Sequence, residues 1–399
     1  MIVQKYGGSS LATMEKMRHV AEKISRAKER HGHVVVVVSA MGQTTNNLIK
    51  MAKSAVKSPT KRELDMLLST GEQVSTSLLS MMLNESSHPA VSLNGFQAGI
   101  QTEGLYTKNR IKDIDISRIR RYLDENHIVV ITGFQGYNPA GDITTLGRGG
   151  SDTTAVAIAA KFGCDCEIYT DVDGICTMDP RRYPQAKKLK EISYEEMCEL
   201  SYLGARVMEG RAVEIAQKYN VNVRVANAHT DGNGSWIKET PPMMEQKYIT
   251  GISVTEDIVM MSLHRIQNSE KGVSELFSAL AEKEVNVDMI SQTPLDDGTV
   301  SLAFTAPQED IEILRETVNE LRKSYAISRV EEDSELSKVS LVGIGMRSQS
   351  GVAASIFKLL ASLDIPFKLI TTSDISISYT IPKNHTDEAV RVLAERFNL

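Results

Sequence analysis

Two glycine-rich turns, far apart in the chain, carry residue types that handle anions. The first is Lys5-Tyr6-Gly7-Gly8-Ser9-Ser10; the second is Thr145-Leu146-Gly147-Arg148-Gly149-Gly150-Ser151-Asp152. Each ends an extended or turn segment and is expected to open a helix, so that backbone N–H groups and a helix N-terminus face an anion. Glycine lets the backbone approach a phosphate closely, and Lys5 and Arg148 add fixed positive charge. One turn joins a cation to serines, the other a cation to the carboxylate of Asp152. That combination suits a site that moves a phosphoryl group onto a zwitterion.

The elements that must hold these turns alternate along the first half of the chain. Ile2–Lys5, Val34–Ser39, Ala90–Leu93, Ile128–Thr132 and Cys166–Thr170 read as strands. Between them, Met14–Arg30, Ile116–Asn126 and Thr153–Phe162 read as helices, as does Arg62–Asn84, which Gly71 should break with a local bend over Ser69-Thr70-Gly71-Glu72. Such alternation predicts a largely parallel sheet with helices on both faces and ligands at the carboxyl ends of the strands, where both turns fall. A boundary is marked by Thr230–Ser235 and Pro241-Pro242. Beyond it lies an internal repeat of strand, loop, helix, two strands and a closing helix. Lys271–Phe277, Val287–Thr293 and Val300–Thr305 form one copy; Ser350–Phe357, Phe367–Ser373 and Ile375–Ile381 form the other. This is the split βαβ order of a ferredoxin-like unit, and the pair holds no catalytic constellation.

Composition narrows the function classes. With 399 residues and a net charge of −6, the chain is long enough for two or three domains and lacks the basic character of a nucleic-acid or anionic-membrane binder. The longest apolar run, Val34 to Val38, is far too short to span a bilayer. Met1-Ile2-Val3-Gln4 runs straight into the first turn without signal or transit character, so a cytosolic location is expected. Cys164, Cys166, Cys176 and Cys198 match no zinc spacing and are expected as free thiols.

Six segments in order resemble the aspartokinases of the amino acid kinase family: Lys5–Ser10, Val38–Gly42, Ser69–Glu72, Gly133–Gly136, Gly147–Asp152, and Thr170–Gly174 with Asp179-Pro180-Arg181. The repeat resembles their paired ACT domains. The resemblance covers essentially the whole chain. It implies an α/β fold, with a three-layer αβα (carbamate kinase-like) domain and mainly parallel sheet over 1–245. Ferredoxin-like ACT units would follow, at 257–333 and at 248–256 with 335–399. It implies transfer of the γ-phosphoryl of ATP to the β-carboxylate of L-aspartate. A carboxylate nucleophile is already ionised at neutral pH, so such a site needs cations and N–H donors rather than a general base, and no motif here carries a histidine.

Roles follow from the resemblance. Lys5 reaches the transferring phosphate, cradled by Gly7, Gly8 and Ser9. Arg148 clamps the α-carboxylate and Glu72 pairs with the α-ammonium. Asp152 holds that ammonium or orients Lys5, or else caps the helix from Thr153. Ser39, Thr45, Phe134, Gly149 and Ser151 are further substrate contacts. Thr170, Asp171, Asp173, Arg181 and Arg206 belong to the nucleotide segment, with Mg²⁺ bound through ATP phosphates and water and no protein metal ligand. Cys176, Arg206 and Glu209-Gly210 depart from the tyrosine, lysine and His-Pro of the family pattern.

In the repeats, an amino-acid effector, lysine or threonine or both, is expected at an interface between units. It would be held by the loop before the helix and the strand after it. That points to Gly272, Val273, Asn286, Asp288 and Gln292, with Thr371 and Ser373. Ile249–Thr255 is expected to cross over to the second unit, and sheet edges suit a homodimer or higher oligomer. Two other readings stay open: an amino acid kinase with another acceptor, and a non-catalytic amino-acid sensor.

Overall fold

A computed structural model describes residues 1–239, 248–267, 269–347 and 349–399, with no side chain for Ser269. Pro241-Pro242 and the expected domain end at residue 245 lie outside the described residues. The chain divides into two compact units. One comprises Met1–Cys176, Lys188–Tyr202 and Arg206–Pro242; the other comprises Thr177–Lys187, Leu203–Ala205 and Met243–Leu399.

In the first unit, eight strands form one sheet in the order Glu191–Ile192, Ser235–Ile237, Val223–Asn227, Cys166–Thr170, Ile2–Tyr6, Val34–Val38, Ile128–Thr132, Ala90–Leu93. Every pairing is parallel except Val223–Asn227 with Ser235–Ile237. The five valines of Val34–Val38 are fully buried, as expected of a strand covered on both faces. One face packs against the helices Met14–His31 and Thr70–Glu85: Ile2, Tyr6, Val34, Val36 and Val38 share a core with Met17, Val20, Ile24, Leu79 and Leu83. The other face is covered by Gly150–Phe162, whose first ten residues are all buried. A small four-stranded sheet, Arg110–Ile114, Ile100–Glu103, Gln135–Tyr137 and Ile143–Thr145, leads into the second glycine turn.

Three local expectations change. The first glycine turn opens only a 3₁₀ turn, Gly8–Leu11; the long helix starts later, at Met14, capped by Thr13 Oγ1 accepting from Lys16 N–H at 3.2 Å. The bend expected over Ser69-Thr70-Gly71-Glu72 falls at the first of these, Ser69, which both ends Lys61–Leu68 and opens Thr70–Glu85, and Gly71 is not the breaker. Gly71 lies inside the helix, where the Ala40 turn leaves no room for a side chain: a Cβ there would stand 2.9 Å from Ala40 Cβ. The helix expected from Thr153 starts at Gly150, with Gly149 as its left-handed N-cap at φ +62°, so Asp152 stands in the first turn rather than at the cap.

In the second unit, two four-stranded antiparallel sheets carry the repeat. One has the order Asp288–Pro294, Val300–Pro307, Ile258–Ile266, Arg329–Asp333; the other has Gly251–Thr255, Leu336–Val342, Ser376–Pro382, Ile370–Thr372. Gly251–Thr255 thus pairs with the second copy, along Leu336–Val342. The first core gathers Leu276, Leu280, Phe304, Leu314 and Val318; the second gathers Ile356, Leu360, Tyr379, Leu393 and also Met178. No described helix is long and apolar enough to cross a membrane.

Candidate active site

Lys5 stands near the end of the first strand, on the face opposite Gln4 and toward the Gly150–Phe162 helix. Its ammonium lies 2.7 Å from Asp152 Oδ1, with both side chains 11% exposed. A nearly dry ion pair holds the cation in one place, because either charge alone would be costly there. Next to it the chain turns at Gly7, whose N–H donates to Tyr169 C=O at 3.0 Å. That donor is spent on the neighbouring strand, so an anion in this turn would meet the N–H groups of Gly8 and Ser9, which begin a helical turn and have no carbonyl behind them. Gly8 lies against the next turn. A Cβ on it would sit 2.5 Å from Ala40 C=O, and its own carbonyl accepts from Gly42 N–H at 2.9 Å.

That contact ties the turn to Glu72. The Glu72 side chain, 3% exposed, accepts the Ala40 N–H on Oε1 at 3.1 Å. Its Oε2 is buried without a hydrogen-bond partner among the described residues. Burial raises its pKa to about 7, with the Ala40 N–H pulling the other way. Ser39, half-buried, donates its N–H to Tyr6 C=O at 3.1 Å, and its carbonyl accepts from Ser75 Oγ at 2.8 Å. Thr45 is half-buried on the first turn of Thr44–Ala55.

The second glycine turn is assembled from several elements. Phe134 takes a left-handed φ of +72°, and its N–H donates to Thr154 Oγ1 at 3.2 Å. A Cβ on Gly133 would stand 2.6 Å from Ser151 Oγ. The Gly133-Phe134 loop therefore lies directly over the start of the Gly150–Phe162 helix, bringing Phe134, Gly149 and Ser151 together with Asp152. Arg148 is exposed beside them.

Three residues not singled out for this site hold or border the turn. Asp65, fully buried, accepts Thr145 Oγ1–H at 2.5 Å and the N–H groups of Thr145 and Thr107 at 3.1 and 3.0 Å. Burial outweighs these bonds and raises its pKa. Its signal was an acid on the buried face of Lys61–Leu68, shared with Leu68. The Arg211 guanidinium donates to Leu146 C=O and, at 3.4 Å, to Asn109 C=O. Glu209 lies on Gly149, where an added Cβ would meet its Oε2 at 2.5 Å; burial raises the Glu209 pKa, Arg211 opposes and Asp152 adds to the rise.

Of the expected nucleotide segment, Thr170, Asp171 and Asp173 cluster at the end of Cys166–Thr170. Thr170 Oγ1 donates to Asp171 Oδ1 at 3.0 Å and Thr230 Oγ1 to Asp173 Oδ1 at 3.3 Å. Arg206 is exposed in the same unit. Arg181 belongs to the other unit, bound bidentately to Asp179 at 2.8–3.2 Å. Among the described residues no group of three or more His, Cys, Asp or Glu could hold a metal ion.

The sequence profile of the amino acid kinase family matches residues 1–227, and that of the ACT domain matches residues 339–397. An aspartokinase of Geobacillus stearothermophilus is 46% identical over all of this chain and 97% of its own length; aspartokinase 2 of Bacillus subtilis (strain 168) is 43% identical over 100% and 98%. The chain belongs to the aspartokinase family. Its fold is that of E. coli aspartokinase III solved with aspartate and ADP, with TM-score 0.82 and 23% identity over 99% of both chains. An aspartate kinase from Synechocystis is 35% identical, covering all of this chain and 69% of that one, with TM-score 0.55.

Within the second unit of this family member, the expected effector residues do not share one setting. Gly272 and Val273 are not in a loop: the helix Ser269–Glu282 begins before them. Gly272 is buried where Ile266 and the Tyr325 ring come within 3.0 Å of an added Cβ, and Val273 packs on the core of the first repeat. In the second copy the equivalent loop does end on a left-handed glycine, Gly351, at φ +93°. Asn286 and Gln292 are exposed, Asp288 and Gln292 lie on Asp288–Pro294, and this strand approaches Ile370–Thr372, which carries Thr371, with Ser373 just beyond. Asp288 is ion-paired at 2.5 Å to Lys338, whose side chain is 7% exposed on one of the two central strands of the second repeat's sheet.

Proposed function

We propose that the chain phosphorylates the β-carboxylate of L-aspartate with ATP, giving 4-phospho-L-aspartate and ADP. This would be the first step toward lysine, threonine and methionine, under feedback inhibition by an amino acid bound in its ACT units. A carboxylate oxygen attacks the γ-phosphorus, and the bond to the β–γ bridging oxygen breaks, its electron pair leaving with ADP. Lys5, aimed by Asp152, neutralises charge on the transferring group, with Gly8 and Ser9 N–H groups as partners and Gly7 supplying the turn. Arg148 takes the α-carboxylate. Ser39, Thr45, Phe134, Gly149 and Ser151 line the acceptor side; Thr170, Asp171, Asp173, Arg181 and Arg206 serve the nucleotide. Magnesium would arrive with the nucleotide phosphates and water.

The observation that carries an amino-acid acceptor is Glu72: a buried acid with one oxygen unpartnered, one contact removed from the first glycine turn, suits an α-ammonium. Kinase residues 1–245, ACT units at 257–333 and at 248–256 with 335–399, a cytosolic setting and a homo-oligomer built through the ACT units complete the reading. The test is acyl-phosphate formation from L-aspartate and MgATP, trapped as the hydroxamate, with and without lysine and threonine. Turnover suppressed by either amino acid is the expected result. No hydroxamate from protein that still binds an amino acid would replace the reading with another acceptor or a sensor.

A further inference from the structure

The sheet face opposite Lys5 carries a second concentration of charge. There Gln4, Glu167 and Arg224 stand side by side on three neighbouring strands. Glu167 Oε2 accepts from Gln4 Nε2 at 2.8 Å and from the Tyr169 hydroxyl at 3.0 Å, while Oε1 accepts from Arg224 at 2.6 and 2.9 Å. Over this row lies a cleft of about 390 Å³, walled by Lys23, Arg26 and Arg30 of the Met14–His31 helix and by the Thr230–Asn233 loop.

Lys23, Arg26, Arg30 and Arg224 line the cleft against two carboxylates, Glu167 and Asp231. Glu167 is taken up by the strand network. Lys23 donates to Asn227 and Thr230 carbonyls at 3.2 and 3.0 Å and sits 4.7 Å over the Tyr169 ring. Burial lowers its pKa, Asp231 opposes, and Arg224 and Arg26 lower it further. Arg26 and Arg30 are one helical turn apart, with Lys23 three residues earlier, a spacing at which like charges repel. Among the described residues neither guanidinium has an ion-pair or hydrogen-bond partner. Cations gathered in a concave cleft over a low-dielectric wall raise the local anion potential, and two guanidinium forks match phosphate oxygens.

We propose that this cleft is a second anion site, distinct from the Lys5 turn, taking the phosphate group of a small phosphorylated metabolite between Arg26 and Arg30, with Lys23 behind. The inference does not depend on which acceptor the kinase uses. Its test is calorimetric titration of the full chain with inorganic pyrophosphate under saturating ADP, on wild type and on Arg26→Gln/Arg30→Gln. Both arginines are exposed, and their replacement should leave hydroxamate-assay kcat and the melting temperature at or above wild type, because it relieves repulsion. Expected is an ADP-resistant site in wild type, weakened at least tenfold in the double variant and by raised salt. Parallel titration with inorganic phosphate and a sugar phosphate separates a plain phosphate site from one that also reads an organic group. Binding abolished by ADP, no binding in wild type, or equal binding in the double variant would each overturn the proposal.

Discussion

Lys5 and Glu72 are two buried charges with opposite problems. Lys5 has its counter-ion at 2.7 Å, so Lys5→Ala removes more than charge at the phosphate: it strands the Asp152 carboxylate in a nearly dry setting. We expect kcat to fall about 10²–10³-fold together with a stability loss of about 3 kcal/mol. Lys5→Ala/Asp152→Asn should recover most of the stability and none of the turnover, read by thermal melts beside the hydroxamate assay; recovered turnover would refute the assignment. Among the described residues Glu72 has no counter-ion, and its pKa is raised to about 7. A carboxyl group whose folded pKa lies above its unfolded one binds more protons folded than unfolded, so stability falls as pH rises between the two values. Only the ionised form attracts an ammonium, so the KM for aspartate should fall as pH is raised from 6 to 8. Glu72→Gln should raise that KM at least tenfold, flatten its pH dependence, and raise the melting temperature at pH 8. A pH-independent KM in wild type would count against the α-ammonium role.

At the scale of elements, the second glycine turn is fixed from behind by a helix remote in sequence. Asp65 on Lys61–Leu68 bonds both ends of the segment that leads into it, through Thr107 and Thr145. Asp65→Ala leaves buried donors unpaired and is expected to cost about 2–4 kcal/mol. It should also raise the aspartate KM more than the ATP KM, because the turn carrying Arg148 loses its support; an unchanged KM would show that the turn holds itself. None of this was legible in order along the chain, since the bond spans 80 residues. What was legible rested on local pattern. The valine run, the apolar stripe from Met14 and the glycine turns each encode their own conformation, and the parallel fold follows from their alternation. The family pattern misled where packing overrode it: Gly272 was expected in the loop before the helix, yet Ile266 and Tyr325 leave no room for a side chain at this position inside the helix. Lys338, paired with Asp288, was hidden because a lone lysine in a strand announces no partner.

Taken whole, the chain is not two halves joined once. Thr177–Lys187, flanked on both sides by first-unit residues, is grouped with the C-terminal unit. Met178 is buried in the core of the second repeat, with Tyr183 and Ala186 packed on it. Arg182 bridges Glu256 at 2.5 Å and Asp387 at 2.9 Å, and Ile252 N–H donates to Thr177 C=O at 2.7 Å. A chain ended at residue 245 would leave these apolar side chains without partners, so it should bind hydrophobic dyes and aggregate; a monodisperse, active fragment would contradict the grouping. These contacts set an order in time. Arg182 and Asp387 are 205 residues apart. At about 5–20 residues per second, the ribosome delivers the second roughly 10–40 s after the first. Through that interval the stretch holding Arg181 has no finished place to rest. Thr177–Lys187 is therefore made early and can be packed only once the closing helix Thr386–Phe397 has been delivered.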